Sequence, residues 1–119
     1  MMNTLIEQIF TNFIVDDVNI PVSFLRYKGN KTTYITYMET QIDNSLSADD
    51  NIQNYVSYYD FDIYSKSNYL KIVESVKEIL RQNGFIWQPS MTSADMYEDD
   101  TGYYHKTLCF AIERSVNNG

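Results

Sequence analysis

Residues 54–85, NYVSYYDFDIYSKSNYLKIVESVKEILRQNGF, constrain the fold more than any other stretch, because their hydrophobic period changes partway through. Up to Ser65 apolar and polar residues come close to alternating, which sends successive side chains to opposite faces of a strand. After Ser67 apolar residues recur every three or four positions, the period of an amphipathic helix. A strand that runs at once into a helix needs both to bury one side, which calls for a layered arrangement of helix on sheet.

The pattern assigns the faces. The third and longest strand is expected over about residues 52–64, with Ser57, Tyr59, Phe61 and Ile63 on one parity. Val56, Tyr58, Asp60, Asp62 and Tyr64 lie on the other, wetter parity. The first set is expected to meet the helices and the second to face solvent or a partner. In the helix, Tyr69, Ile72, Val73, Val76, Ile79 and Leu80 form one stripe, opposite Lys71, Glu74, Lys77, Glu78 and Arg81. Ser67 is placed to cap the first turn. Gly84 supplies a left-handed residue at the end, with Phe85 folding back on the last turn.

Around this unit, Leu5, Ile6, Ile9, Phe10 and Phe13 mark one face of an N-terminal helix over about residues 2–13. VDDVNIP breaks it, since Pro21 disfavours helical dihedrals at Ile20. VSFLRYK and TTYITYMET flank Gly29-Asn30 and read as two strands of a β-hairpin. Residues 43–51 are a polar loop, FIWQ a short strand, and PSMTSADMYEDDTG an irregular acidic segment. YYHKTLCFAIERSV closes the domain as a strand with Leu108, Phe110 and Ile112 inward. The expected architecture is one α+β domain over residues 1–119, with a mainly antiparallel four- to five-stranded sheet and two helices on one face.

Charge and composition exclude several partners. The net charge is −7 and eleven of the 119 residues are tyrosine. A chain this acidic lacks the basic patch that neutralises phosphates, so neither nucleic-acid binding nor docking on an anionic membrane is expected. Acid pairs at Asp16–Asp17 and Asp49–Asp50 and the run Glu98–Asp100 read as loop charges. Cys109 is the only cysteine, and no apolar leader opens the chain, so folding in a reducing cytosol is expected.

Reaction chemistry finds little support. His105 and Cys109 share a strand parity but stand about 13 Å apart along an extended chain, out of hydrogen-bond reach. A calcium loop opened by Asp95 fails at its sixth position, Asp100, and at its twelfth, Lys106. One histidine and one cysteine are too few soft ligands for zinc. Gly29, Gly84, Gly102 and Gly119 never form a phosphate-cradling loop. No catalytic residue, metal or cofactor is assigned.

Three stretches carry a resemblance: DIYSK at Asp62–Lys66, the helix closed by Asn83-Gly84-Phe85, and DMYEDDTGYYHKTLCF at Asp95–Phe110. Together with the N-terminal helix and IPVSFLRYKG, the order resembles the tail-terminator, or tail-completion, proteins of long-tailed phages and Gram-positive prophages. The resemblance covers nearly the whole chain through scaffold and loop signatures. It implies a structural protein, not an enzyme, made in the bacterial host cytoplasm and built into the virion at the head-proximal end of the tail. There six copies would form a ring that ends tube polymerisation and offers the head-docking surface. The implied partners are other copies in a homo-hexamer, the major tail tube protein and a head-completion or neck protein. DNA would only pass through the lumen, where acidic loops would repel its phosphates. No cofactor and no membrane are implied. Candidate subunit or tube contacts are Tyr58, Asp60, Asp62, Tyr64, Asp95, Tyr97, Glu98, Asp99 and Asp100. Rival readings are another head–tail connector of the same particle, a small ligand-binding domain, and an acidic DNA mimic.

Overall fold

A computed structural model of the chain describes residues 2–44, 54–67 and 69–115. Among these residues two α-helices, α1 (Met2–Ile9) and α2 (Leu70–Gln82), accompany eight strands. These are β1 (Ile14–Val15), β2 (Val18–Asn19), β3 (Val22–Phe24), β4 (Tyr34–Asn44), β5 (Asn54–Ser65), β6 (Ile86–Trp87), β7 (Met96–Glu98) and β8 (Tyr103–Ser115). The class is α+β with a mostly antiparallel sheet, but the strands number eight in two sheets rather than four to five. The main sheet has the order β3-β4-β5-β8-β6, with β7 also paired to β8, and β1-β2 stand apart as a small hairpin.

The β5 pattern follows the sequence parity. Ser57, Tyr59, Phe61 and Ile63 are buried, while Tyr58, Asp60, Asp62 and Tyr64 are half-buried on the other face. Leu108, Phe110 and Ile112 of β8 join the same core, as do Ile6 and Phe10 from the α1 end and Ile72, Val73, Val76 and Leu80 from α2. Phe61 sits at its centre, with the rings of Phe10, Tyr37 and Phe110 all within 6 Å of it.

The C-terminus of α2 is built as its sequence requires. Phe85 N–H donates to Leu80 O and Gly84 N–H to Arg81 O, with Gly84 at φ +87°. This is the two-bond left-handed stop that glycine accommodates without strain.

Four expectations are corrected. First, VSF and TTYITYMET do not form a hairpin: β3 runs parallel to β4, with Val22 opposite Ile35. Gly29 is not a turn glycine; a Cβ there would collide with the Tyr27 ring, whose hydroxyl accepts the Lys31 amide at 2.9 Å. Second, Ser67 does not cap α2. Tyr69 occupies that position without a side-chain cap bond, and Ser67 instead donates its amide to Ser65 Oγ, which is 3.0 Å from Thr33 Oγ1.

Third, α1 ends at Ile9, and Phe10 and Phe13 are buried beyond it. Asp16 and Asp17 then form the two left-handed residues, φ 52° and 65°, between β1 and β2. That is the dihedral pair a two-residue hairpin turn demands, and aspartate tolerates it. Fourth, the segment read as irregular contains a 3₁₀ turn at Pro89–Met91 and the paired strand β7. Of the polar loop expected at 43–51, Asp43 and Asn44 lie in β4 and the remainder falls outside the described residues.

Candidate interaction surface

The outer face of the main sheet, away from the helices, is laid out by register in rows. Antiparallel pairing sets Tyr34 opposite Tyr64 and Tyr64 opposite His105. Their rings stack: Tyr27 on Tyr34 at 4.6 Å, Tyr34 on Tyr64 at 4.9 Å, and Tyr64 on His105 at 4.2 Å. Tyr103 meets Tyr34 and Tyr64 edge-on at 6.1 and 6.4 Å, with the Lys66 ammonium 5.0 Å from its ring centre. Because the rings cover one another, the row offers hydroxyl tips and edges more than open faces.

In the next row Asp62 lies between Thr36 and Thr107. One oxygen, Asp62 Oδ1, accepts the Thr107 hydroxyl and lies 3.2 Å from His105 Nε2. The threonine proton is thereby given to the carboxylate and not to the imidazole, so the trio is a surface tether and does not prime a nucleophile. The third row is Met38, Asp60 and Cys109. Burial, helped by the neighbouring Asp62 charge, holds the Asp60 carboxyl above the ordinary carboxylate range. Burial first, and Asp60 second, pushes the Cys109 thiol up to about 11. A thiol so buried and so reluctant to ionise packs the face and does not react. The fourth row is Gln41, Tyr58 and Ala111.

The nine sequence candidates therefore divide. Tyr58, Asp60, Asp62 and Tyr64 share this outer face, and Glu98 joins it through its pairing with Tyr103 and its charge effect on Tyr34 and Tyr64. Asp99 and Asp100 sit in the exposed turn after it, which Gly102 closes at φ +76° by donating its amide to Glu98 O. Asp95 and Tyr97 go to the helical side. There Tyr69 stacks on Tyr104 at 5.6 Å and Tyr97 meets Tyr104 at a tilt, ring centres 4.8 Å apart, bordering a cleft of about 590 Å³.

Asp95 ties that cleft together. Its carboxylate is 3.0 Å from Lys106 Nζ, and hydrogen bonds from Tyr69 and then Lys106 hold it below the usual carboxylate range. Burial and that same bond push the Tyr69 phenol up to about 12. Among the described residues no group of three or more His, Cys, Asp or Glu could hold a metal ion. Nor is any helix among them long and apolar enough to cross a membrane.

Tyr27, Tyr34, Tyr103, His105 and Thr107 belong to the outer surface but were not assigned to it from the sequence. The signal for them is cross-strand register, which no single segment carries. In comparisons with known proteins, no protein-family model and no curated protein matches the chain.

Proposed function

We propose that this chain is a structural virion protein of the tail-terminator kind, which caps the tail tube as a ring of six copies and presents the surface to which the head docks. The observation that carries the reading is shape. Strands β4, β5 and β8 outrun the helices, stretching the molecule to 52 × 27 × 23 Å, and they bear a broad tyrosine-and-carboxylate face. Tyrosine suits such a face, since its ring packs while its hydroxyl bonds across an interface. Contacts of this kind to the tube protein, a neck protein and neighbouring copies need no cofactor. Deleting the gene is expected to leave filled heads unjoined and tails irregular or overlong in electron micrographs. Tails of normal length that attach to heads would refute the reading.

The aromatic cleft supports a second reading, a small ligand-binding domain. Its 590 Å³ volume and its lining of Tyr69, Tyr97, Tyr104 and Met96 fit the general form of such sites. A panel of aromatic fragments that shifts the Tyr69 and Tyr104 NMR signals at micromolar concentrations would favour it over the structural role.

A further inference from the structure

Beyond the short strands β3 and β6 that border the main sheet, the two long strands β4 and β8 each leave a stretch with no neighbouring strand among the described residues. On one side β3 covers β4 only as far as Tyr37, leaving β4 from Met38 onward. On the other, β6 covers β8 only at Phe110 and Ala111, leaving β8 from Ile112 onward. Alternation shows which groups point outward. Ile35 donates its amide to Pro21 O and Tyr37 accepts from Leu25, so Glu39 also faces that edge. The bulge between Glu39 and Gln41 resets the phase and turns the peptide group of Ile42 outward. On β8, Thr107 and Cys109 bond outward to the segment after β6, so Glu113 points outward too.

Such edges invite pairing, and proteins usually guard them with lysine, proline or a covering element. β4 contains no Lys, Arg, Pro or Gly over its whole length, YITYMETQIDN. Among the described residues its guards are the bulge and the acids Glu39 and Asp43, and Ile42 beyond the bulge is 55% exposed. We propose that the β4 edge at Glu39–Ile42 accepts the β8 edge at Glu113 of a second copy, so that copies of this chain add head to tail through a continued sheet.

The occupant is a second copy for three reasons. Both strands run antiparallel to β5, so β4 and β8 point the same way, and one copy's β8 meets the next copy's β4 in a regular parallel ladder. The charges on the β4 arm, Glu39 and Asp43, are both acidic. The β8 edge carries Glu113 and Arg114, whose opposite charges balance and so add no net repulsion to the acidic β4 arm, and Arg114 already reaches Glu39 of its own chain at 3.7 Å. Finally, the two edges differ, so the contact is heterologous and propagates instead of stopping at a two-fold dimer. The inference rests on the assembly reading above and specifies its contact.

Proline tests it cleanly. At Ile42 or Glu113 it removes an amide that faces the open edge and no ladder bond within the chain. The wild-type chain is expected to form species larger than a dimer in sedimentation runs up to about 1 mM, a range that reveals any contact tighter than that. Ile42→Pro and Glu113→Pro should each stay monomeric. An equimolar mixture should give a dimer and nothing larger, because it holds one intact edge of each kind. Strict wild-type monomers, a variant that assembles like wild type, or loss in only one variant would overturn the proposal.

Should circular dichroism show that a proline variant is unfolded, cross-linking decides. In the Ile42→Cys/Arg114→Cys double variant β5 separates the two sites by about 10 Å within one chain, too far for a disulfide. Oxidation should therefore give a ladder of linked chains, and a monomer band alone would refute the contact. The contact and the function fail separately. Edge variants that still end tails at normal length, beside a deletion that does not, would discard the contact and keep the terminator role. Edge-dependent assembly with normal tails in the deletion strain would do the reverse.

Discussion

Lys77 lies on the polar side of α2, where the sequence alone suggests that truncation costs almost nothing. The structure raises that figure. The ammonium stands 3.8 Å from the centre of the Trp87 ring, and the side chain is only 26% exposed. The indole is held from its other end, because its N–H donates to Thr92 Oγ1 at 2.8 Å. A cation over a partly exposed tryptophan is worth about 0.5–1 kcal/mol. The pair with Glu74, 3.3 Å away but with a carboxylate 72% exposed, adds about 0.3 kcal/mol. Alanine's better helix propensity returns a few tenths of a kcal/mol. Lys77→Ala should therefore cost about 1 kcal/mol, which lowers the melting temperature by roughly 4 °C or more for a domain near this size. Trp87 is the only tryptophan, so its fluorescence follows urea unfolding at the contact itself. Lys77→Arg should retain most of the stability. In a double-mutant cycle with Trp87→Leu, a coupling below about 0.3 kcal/mol, the scatter of independent sites, would show that the cation does nothing on the ring.

Gly84→Ala should destabilise by about 1 kcal/mol in the same urea assay. No atom lies within 4 Å of the added Cβ, so the cost is that of φ +87° alone, and Gly84→Asn should recover part of it. A neutral alanine would mean that α2 stops elsewhere. For Asp60 the sign follows from its raised folded-state value: the fold favours the neutral acid, so its contribution is full below about pH 3.8 and declines as pH rises through the folded pKa. Asp60→Asn should then raise the melting temperature at pH 7 and change it little at pH 3. An equal shift at both pH values would refute the role assigned to burial and Asp62.

What the sequence showed and what it hid divide along a physical line. Period is a local property, so the parity of β5 and the stripe of α2 were legible, and so was the glycine that ends the helix. Pairing is not local. Nothing in VSFLRYK says that it will lie parallel to the strand it precedes, and that placement depends on Ile20 and Ile35 both entering the core. Ser67 looked like a cap because capping is judged within one turn. Its amide is instead drawn to Ser65, which is fixed in turn by Thr33 just before the start of the neighbouring strand β4. The candidate surface divides the same way. Tyr58, Asp60, Asp62 and Tyr64 lie along one strand and were read as one stripe, whereas Tyr34 and His105 reach it only through register.

The acidic segment shows why composition misleads at short range. DMYEDDTG reads as loop because its residues favour turns. Yet three of them pair with β8, and within three residues the pleat sends Tyr97 to the cleft and Glu98 to the outer face. One stretch of like composition thus serves two surfaces. The outer surface is defined by what its rings do to one another. With Tyr27, Tyr34, Tyr64 and His105 stacked face to face, little π surface is left for a cation, and what projects is phenol oxygen beside the carboxylates of Asp62 and Glu98. Such a surface is rich in acceptors. In the assembly proposed here it selects partners that bring hydrogen-bond donors and disfavours those that bring phosphates.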